Sequence, residues 1–340
     1  MTKDAKAFIC GCKGLSLEPH ERELIARHLP WGLILFKRNI GDPAQVAALV
    51  ASFREIVGRE NAPVLIDQEG GRVQRMGPPH WPAYPAAARF GEMKGTNLQK
   101  FNAALLNARI MAADLVAVGI NVNCTPVLDV PAPDSHNIVG DRAYGTDPVF
   151  VAAMGRAVAE GMLAQGVLPV VKHIPGHGRA KADSHLELPR VSASRKELEK
   201  TDFDSFGLNC GAPLGMTAHV VYEAIDPDRP ATTSPLVVEK IIRGHIGFRG
   251  LLMSDDLSMK ALSGDFGDRA RAVFAAGVDI ALHCNGDWAE TEPVAMAAPL
   301  LKGKSLKRAE RAFKYIQVLP APLDLVDARA RLHLMLAGTA

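Results

Sequence analysis

Within fourteen positions, from Lys172 to His185, the chain places His173, His177, His185, Lys172 and Asp183. Pro175, Gly176 and Gly178 interrupt the run, so no helix can present these side chains together. Residues 166–171, Gly-Val-Leu-Pro-Val-Val, form a β-branched stretch that predicts a buried strand despite its proline. A strand that ends in Lys-His and opens into a Gly/His loop has the form of an active site at a strand's carboxyl end. Solvated loops rarely concentrate so many titratable groups, whereas sites that move protons or bind polar ligands do. His173, His177, Asp183 and His185 could also be gathered as zinc ligands of a metal-dependent barrel hydrolase. His-x-x-x-His, however, is a ligand spacing for a helix, and the proline and glycines deny it one. A second chemical run, Met253-Ser254-Asp255-Asp256-Leu257-Ser258-Met259, ends another predicted strand with an acid pair.

The elements that must position these residues recur along the chain. Short β-type runs at 7–12, 32–36, 63–67, 120–123, 167–172, 213–217, 250–254 and 278–283 alternate with helical patterns. The helical stretches cover 43–57, 97–118, 150–165, 192–208, 234–245 and 268–276. The clearest is 97–118, with Leu98, Phe101, Leu105, Ala108, Ala112 and Leu115 on one stripe. Strand–helix alternation calls for a parallel sheet, and eight repeats call for a single-domain (β/α)8 TIM barrel spanning the whole chain. An open doubly wound sheet is the runner-up, but no G-x-G-x-x-G follows the first strand. Insertions follow the third, fourth and fifth strands. Residues 306–318 and 325–336 read as helices, and the segment 288–340 is expected to pack outside the barrel.

Barrel sites are built from strand carboxyl ends, so the polar residues there should be chemically coherent. Those ends carry Arg38 and Asn39, Asp67 with Glu69, Asn123 and Asp129, Lys172 and His173, His219, Asp255 and Asp256, and His283 with Asn285. So many carboxylates, amides and imidazoles suit a pocket for a polyhydroxylated ligand, where donors and acceptors converge on one small molecule. Composition adds exclusions. The 340 residues are 48% hydrophobic and 22% charged with a formal net charge of +2, so neither nucleic acid nor an anionic membrane is an expected partner. No apolar run reaches bilayer length, the N-terminal residues lack a signal-type apolar core, and the five scattered cysteines read as reduced thiols; a cytoplasmic monomer is expected.

Taken together, Lys172 to Gly178, Asp183-Ser184-His185 and Ser254-Asp255-Asp256 resemble the β-N-acetylhexosaminidases of glycoside hydrolase family 3. More narrowly, they resemble its short, single-domain bacterial members that recycle peptidoglycan. Supporting stretches are Gly32-Leu33-Ile34-Leu35-Phe36, Ile66-Asp67-Gln68-Glu69-Gly70-Gly71, residues 122–129, Gly140-Asp141-Arg142-Ala143-Tyr144-Gly145 and Met216-Thr217-Ala218-His219. The resemblance implies a retaining exo-β-N-acetylglucosaminidase that needs no cofactor or metal. It would act on terminal β-linked N-acetylglucosamine, as in 1,6-anhydro-muropeptides. Asp255 would be the nucleophile, and His185, oriented by Asp183, the general acid/base. Asp67, Arg75, Arg142, Lys172 and His173 would bind the sugar. His177 is the rival acid/base. Asn123, His219, Asn285, Trp81 and Trp288 are weaker binding candidates, and Asp256 reads as a supporting or capping carboxylate. An imidazole in place of a second carboxylate also leaves phosphate open as an acceptor beside water, because it adds no negative charge against the anion.

Overall fold

The computed structural model describes residues 4–338 apart from Asp134, His136, Asp183, His185 and Val318. Eight strands form a closed ring: β1 (Lys6–Cys10), β2 (Pro30–Leu35), β3 (Val64–Ile66), β4 (Val122–Asn123), β5 (Leu168–Ile174), β6 (Leu214–Thr217), β7 (Leu251–Asp256) and β8 (Ile280–His283). Every pairing is parallel, each strand lies beside its neighbours in sequence, and β1 pairs with β8 to close the barrel. The (β/α)8 architecture expected from strand–helix alternation is therefore the observed one.

Alternating side chains explain the closure. Along β1, Ala7 and Ile9 join Trp31, Leu65, Val122, Val170, Leu214, Met253 and Ile280 in one buried cluster inside the ring. Phe8 and Cys10, one residue out of phase, join Leu33, Val64, Val171, Leu252 and Ala281 beneath the surrounding helices. Those helices include α1 (Pro19–His28), α2 (Pro43–Val57), α3 (Asn97–Ala117), α4 (Pro148–Ala164), α5 (Phe266–Ala275) and α6 (Trp288–Ala297). Their starts follow local chemistry: Asp42, Thr96, Asp147 and Asp265 each accept a hydrogen bond from a first-turn backbone N–H. Near the C-terminus, α7 (Gly303–Lys314) lies across the barrel floor, where Phe313 meets Trp31 edge-on with ring centres 6.2 Å apart. The last helix, α8 (Leu325–Ala337), is fastened to α3 by a two-oxygen contact of Arg329 with Asp114 at 2.7 and 2.9 Å.

Three local expectations change. Leu98 is 67% exposed; α3 is gripped by α4 and α8, so it buries a broad face of Ala103, Ala104, Asn107, Ala108, Met111, Ala112 and Leu115 rather than one narrow stripe. The expected helix at 192–208 breaks at Thr201 into Arg195–Lys200 and Asp202–Gly207, because the Asp202 carboxylate turns to meet Arg179 at 2.6 Å. The helix expected at 234–245 is wound as a π-helix over Val237–His245.

Candidate active site

At the carboxyl ends of the strands lies a cavity of about 380 Å³, lined from β2, β5, β6, β7 and β8 and by the loops after β3, β4, β5 and β7. The loop after β3 is itself structured, as a two-stranded ribbon pairing Gln68–Gly70 with Val73–Gln74. Gly70 makes the ribbon possible: its φ is +99°, and a Cβ there would run into the Pro85 carbonyl. Gln68 accepts the backbone N–H groups of Arg75 and Met76 at 2.9 and 3.0 Å. These bonds fix the ribbon's return path, so that Arg75 comes back over Asp67.

The result is an alternating lattice of buried charge. Lys172 reaches Asp67 Oδ1 at 2.9 Å and Glu69 Oε1 at 2.7 Å. Arg75 reaches Asp67 Oδ2 at 3.1 Å, and Arg142 grips both Glu69 oxygens at 2.9 Å. Burial alone would raise the Asp67 and Glu69 carboxyls. Lys172 with Arg75, and Lys172 with Arg142, outweigh it and hold both below the usual carboxylate range. Burial likewise works against the Lys172 ammonium, and the two carboxylates reverse the effect and push it up. Phe36 supports the lattice from β2's end, with the Arg75 guanidinium carbon 4.9 Å from its ring centre.

A second network lies beside it. Asp129, with no solvent exposure, accepts from His173 Nδ1 at 2.7 Å, from the His173 backbone N–H at 3.2 Å and from the His177 backbone N–H at 2.7 Å. With Nδ1–H committed to Asp129, the tautomer leaves Nε2 as the free nitrogen of His173. Burial pushes Asp129 up, but His173 more than offsets it and the carboxyl falls to about 2. His177 is buried and neutral, its pKa lowered to about 4 by desolvation first and by His173 second. His177 Nε2 lies 3.3 Å from the hydroxyl of Ser184, which also lines the cavity.

Asp255 lies one residue before the end of β7 and is 7% exposed. Its Oδ1 accepts the Asp256 backbone N–H at 2.8 Å. Burial would raise its carboxyl, but His173, His219, that N–H and Lys172 together hold it below the usual value. Asp256 is spent on the backbone, its Oδ1 accepting from Ser258 N and Cys284 N at 3.0 Å each, which ties β7's end to β8.

The structure thus brings Asp67, Arg75, Arg142, Lys172, His173 and Asp255 together around one cavity. Asp183 and His185 lie outside the described residues. The weaker binding candidates have other tasks. Asn123 exchanges two hydrogen bonds with the Gln68 backbone, His219 donates Nε2–H to the Asp256 carbonyl at 3.0 Å, and Asn285 caps a turn through Asp287 N. Trp81 and Trp288 are buried in the core, because the insertion carrying Trp81 and helix α6 both pack inward. Sequence reasoning placed Glu69 beside Asp67 among the strand-end residues of the pocket but did not assign it to sugar binding, although its separation from Asp67 by one position signalled a shared strand face. It also left out Gln68 and Phe36, which bear no signal beyond their neighbours. Among the described residues no three His, Cys, Asp or Glu side chains converge as metal ligands.

Comparison with known proteins agrees with this fold. The glycosyl hydrolase family 3 N terminal domain profile matches residues 12–317. A β-hexosaminidase of Aromatoleum aromaticum is 36% identical over 305 residues, covering 87% of this chain and 84% of that protein. One from Pseudomonas aeruginosa strain UCBPP-PA14 is 38% identical over 303 residues, 88% of each chain. Among solved structures, NagZ from Neisseria gonorrhoeae in complex with N-trifluoroacetyl-D-glucosamine superimposes with a TM-score of 0.85 at 29% identity, over 98% of both chains. The barrel, its cavity and these matches place the chain in glycosyl hydrolase family 3, as a glycoside hydrolase related to the β-hexosaminidases.

Proposed function

We propose that the protein is a retaining exo-β-N-acetylglucosaminidase with Asp255 as its covalent nucleophile. One observation carries the assignment. Of the four carboxylates lining the cavity, Asp67, Glu69 and Asp256 have both oxygens engaged, while Asp255 Oδ2 has no hydrogen-bond partner among the described residues. A nucleophile needs an ionised carboxylate with a lone pair free to reach carbon, and burial balanced by histidines and Lys172 keeps Asp255 ionised. Asp255 would attack the anomeric carbon while the glycosidic C–O bond breaks, and the departing oxygen would take a proton from His185. The resulting glycosyl ester would be opened by water, which gives its proton back to His185, so the two displacements restore the β configuration. Asp183 would orient the imidazole and support its charged form. Ser184, the residue between them, lines the cavity, which supports this segment as the source of the acid/base.

Asp67 and Glu69, held ionised by their cations, would accept from sugar hydroxyls, and Lys172, Arg75, Arg142 and His173 would complete the recognition. The substrate we favour is terminal β-linked N-acetylglucosamine on a 1,6-anhydro-muropeptide, processed in the cytoplasm during peptidoglycan recycling by a monomer that is one catalytic domain. All five cysteines being free thiols accords with a reducing compartment. The test is turnover of a chromogenic β-N-acetylglucosaminide, followed by NMR of the first-formed anomer with and without phosphate. Initial β product supports the reading. An initial α product, or equal turnover of the β-glucoside, overturns it, and a sugar phosphate would make phosphate the acceptor.

A further inference from the structure

The loop after β4 forms one wall of the cavity through Ile138, Val139 and Arg142. Its attachment converges on one side chain from the facing ribbon. Arg72 Nη2 lies 3.0, 2.6 and 3.1 Å from the carbonyl oxygens of Asn137, Ile138 and Val139, and Arg72 Nε lies 3.1 Å from Asp141 Oδ1. The loop is shaped to admit this guanidinium. Gly140 has φ +45°, and a Cβ there would stand 2.5 Å from Asn137 Oδ1 and 3.3 Å from Arg72 Nη2. The Ile138 carbonyl is shared, since Arg142 Nη1 also approaches it at 3.4 Å. The two arginines therefore join the ribbon and the loop in opposite senses. Arg142 reaches from loop to ribbon at Glu69, and Arg72 reaches from ribbon to loop at three carbonyls and Asp141.

We propose that Arg72 is a positioning residue, which fixes residues 137–141 against the ribbon and so holds Ile138, Val139 and Arg142 at the spacing the sugar requires. The proposal rests on the reading of this cavity as the sugar site. A fork of five N–H groups can hold several carbonyls and a carboxylate at once, and a lysine's point charge cannot. Losing charged hydrogen bonds of this kind should lower amide-exchange protection of the 137–143 segment by roughly 10–100-fold. A wall displaced by about an ångström should weaken sugar binding by roughly tenfold or more, with chemistry at Asp255 little changed.

The test uses the full-length chain as Arg72→Ala, Arg72→Lys and Gly140→Ala. Hydrogen exchange is read by mass spectrometry, and KM and kcat are read with the chromogenic N-acetylglucosaminide. The expected result is faster exchange confined to the 137–143 segment, KM raised with kcat largely kept, partial recovery in Arg72→Lys, and a matching KM rise in Gly140→Ala. Unchanged exchange in Arg72→Ala overturns the proposal whatever the activity. A KM rise in Arg72→Ala that Gly140→Ala does not share overturns it too, because Arg72 would then touch the sugar directly. If the wild-type chain leaves the N-acetyl sugar untouched, the sugar reading falls and the exchange result alone decides the role of Arg72.

Discussion

Replacing Lys172 by methionine removes one ammonium from between two buried carboxylates, and the consequences can be worked from the geometry. The lysine side chain is 3% exposed and contacts Asp67 at 2.9 Å and Glu69 at 2.7 Å. Without it, two buried carboxylates keep Arg75 and Arg142 as their cation partners among the described residues. Removing one member of such a buried network costs about 3–5 kcal/mol. At about 2.1 cal/mol/K of unfolding entropy per residue, a 340-residue chain gains roughly 0.7 kcal/mol/K, so Tm should fall by about 4–7 °C. The pH dependence fixes the cause. Asp67 and Glu69 have folded pKa values below their unfolded ones, so their contribution is present above the unfolded value of about 4 and is lost as pH falls through the folded values. In Lys172→Met burial is less opposed, both carboxyls rise, and they can take up protons in the folded state. The deficit against wild type should therefore be largest at pH 7 and shrink towards pH 4. Urea unfolding followed by tryptophan fluorescence across that range measures it. Unchanged stability at pH 7, or a deficit that grows on acidification, would rule out Lys172 as the cation that holds the two carboxylates ionised.

Asp129→Asn keeps the size of the residue that organises His173 and His177 but removes its charge, and kcat/KM with the chromogenic glycoside should drop by roughly 10²-fold; steady-state kinetics beside an unchanged circular dichroism spectrum would show this. His177 is neutral in the fold down to about pH 4 against 6.5 in the unfolded chain, so its contribution is intact above pH 6.5 and falls away between 6.5 and 4, by about 3 kcal/mol. The slope of unfolding free energy against pH should flatten in His177→Gln. His185→Ala should lose roughly 10²–10⁴-fold on natural disaccharides and far less on glycosides of acidic phenols, a contrast that rate measurements across a phenol series would reveal. Equal losses across the series would contradict that role, and His177 would then be tested in the same way.

The barrel was legible because eight short, mostly apolar runs recur along the chain and six of the stretches between and around them carry helical periodicity. Local detail was less so. The stripe on α3 held at Ala108, Ala112 and Leu115 but not at Leu98, because burial of α3 depends on which helices flank it, and that information lies in residues far along the chain. Thr201 breaks its helix for an arginine twenty-two positions away, which no window of sequence displays. In the site, Asp67, Arg75, Arg142, Lys172, His173 and Asp255 were legible as strand-end or motif residues. What they do together was not, since the lattice of alternating charge exists only once the ribbon folds Arg75 back over Asp67 and the loop after β4 brings Arg142 to Glu69. Glu69 was passed over as a binding residue for that reason.

Covalent trapping tests Asp255 as the nucleophile directly. A fluorinated N-acetylglucosaminyl inactivator should form an ester that outlives the assay, and digestion with mass spectrometry should find the sugar on the peptide containing residues 253–259, on Asp255. One label per chain on Asp255, and none in Asp255→Ala, is the expected result. Label on Asp256, or inactivation without any label on this peptide, would contradict it.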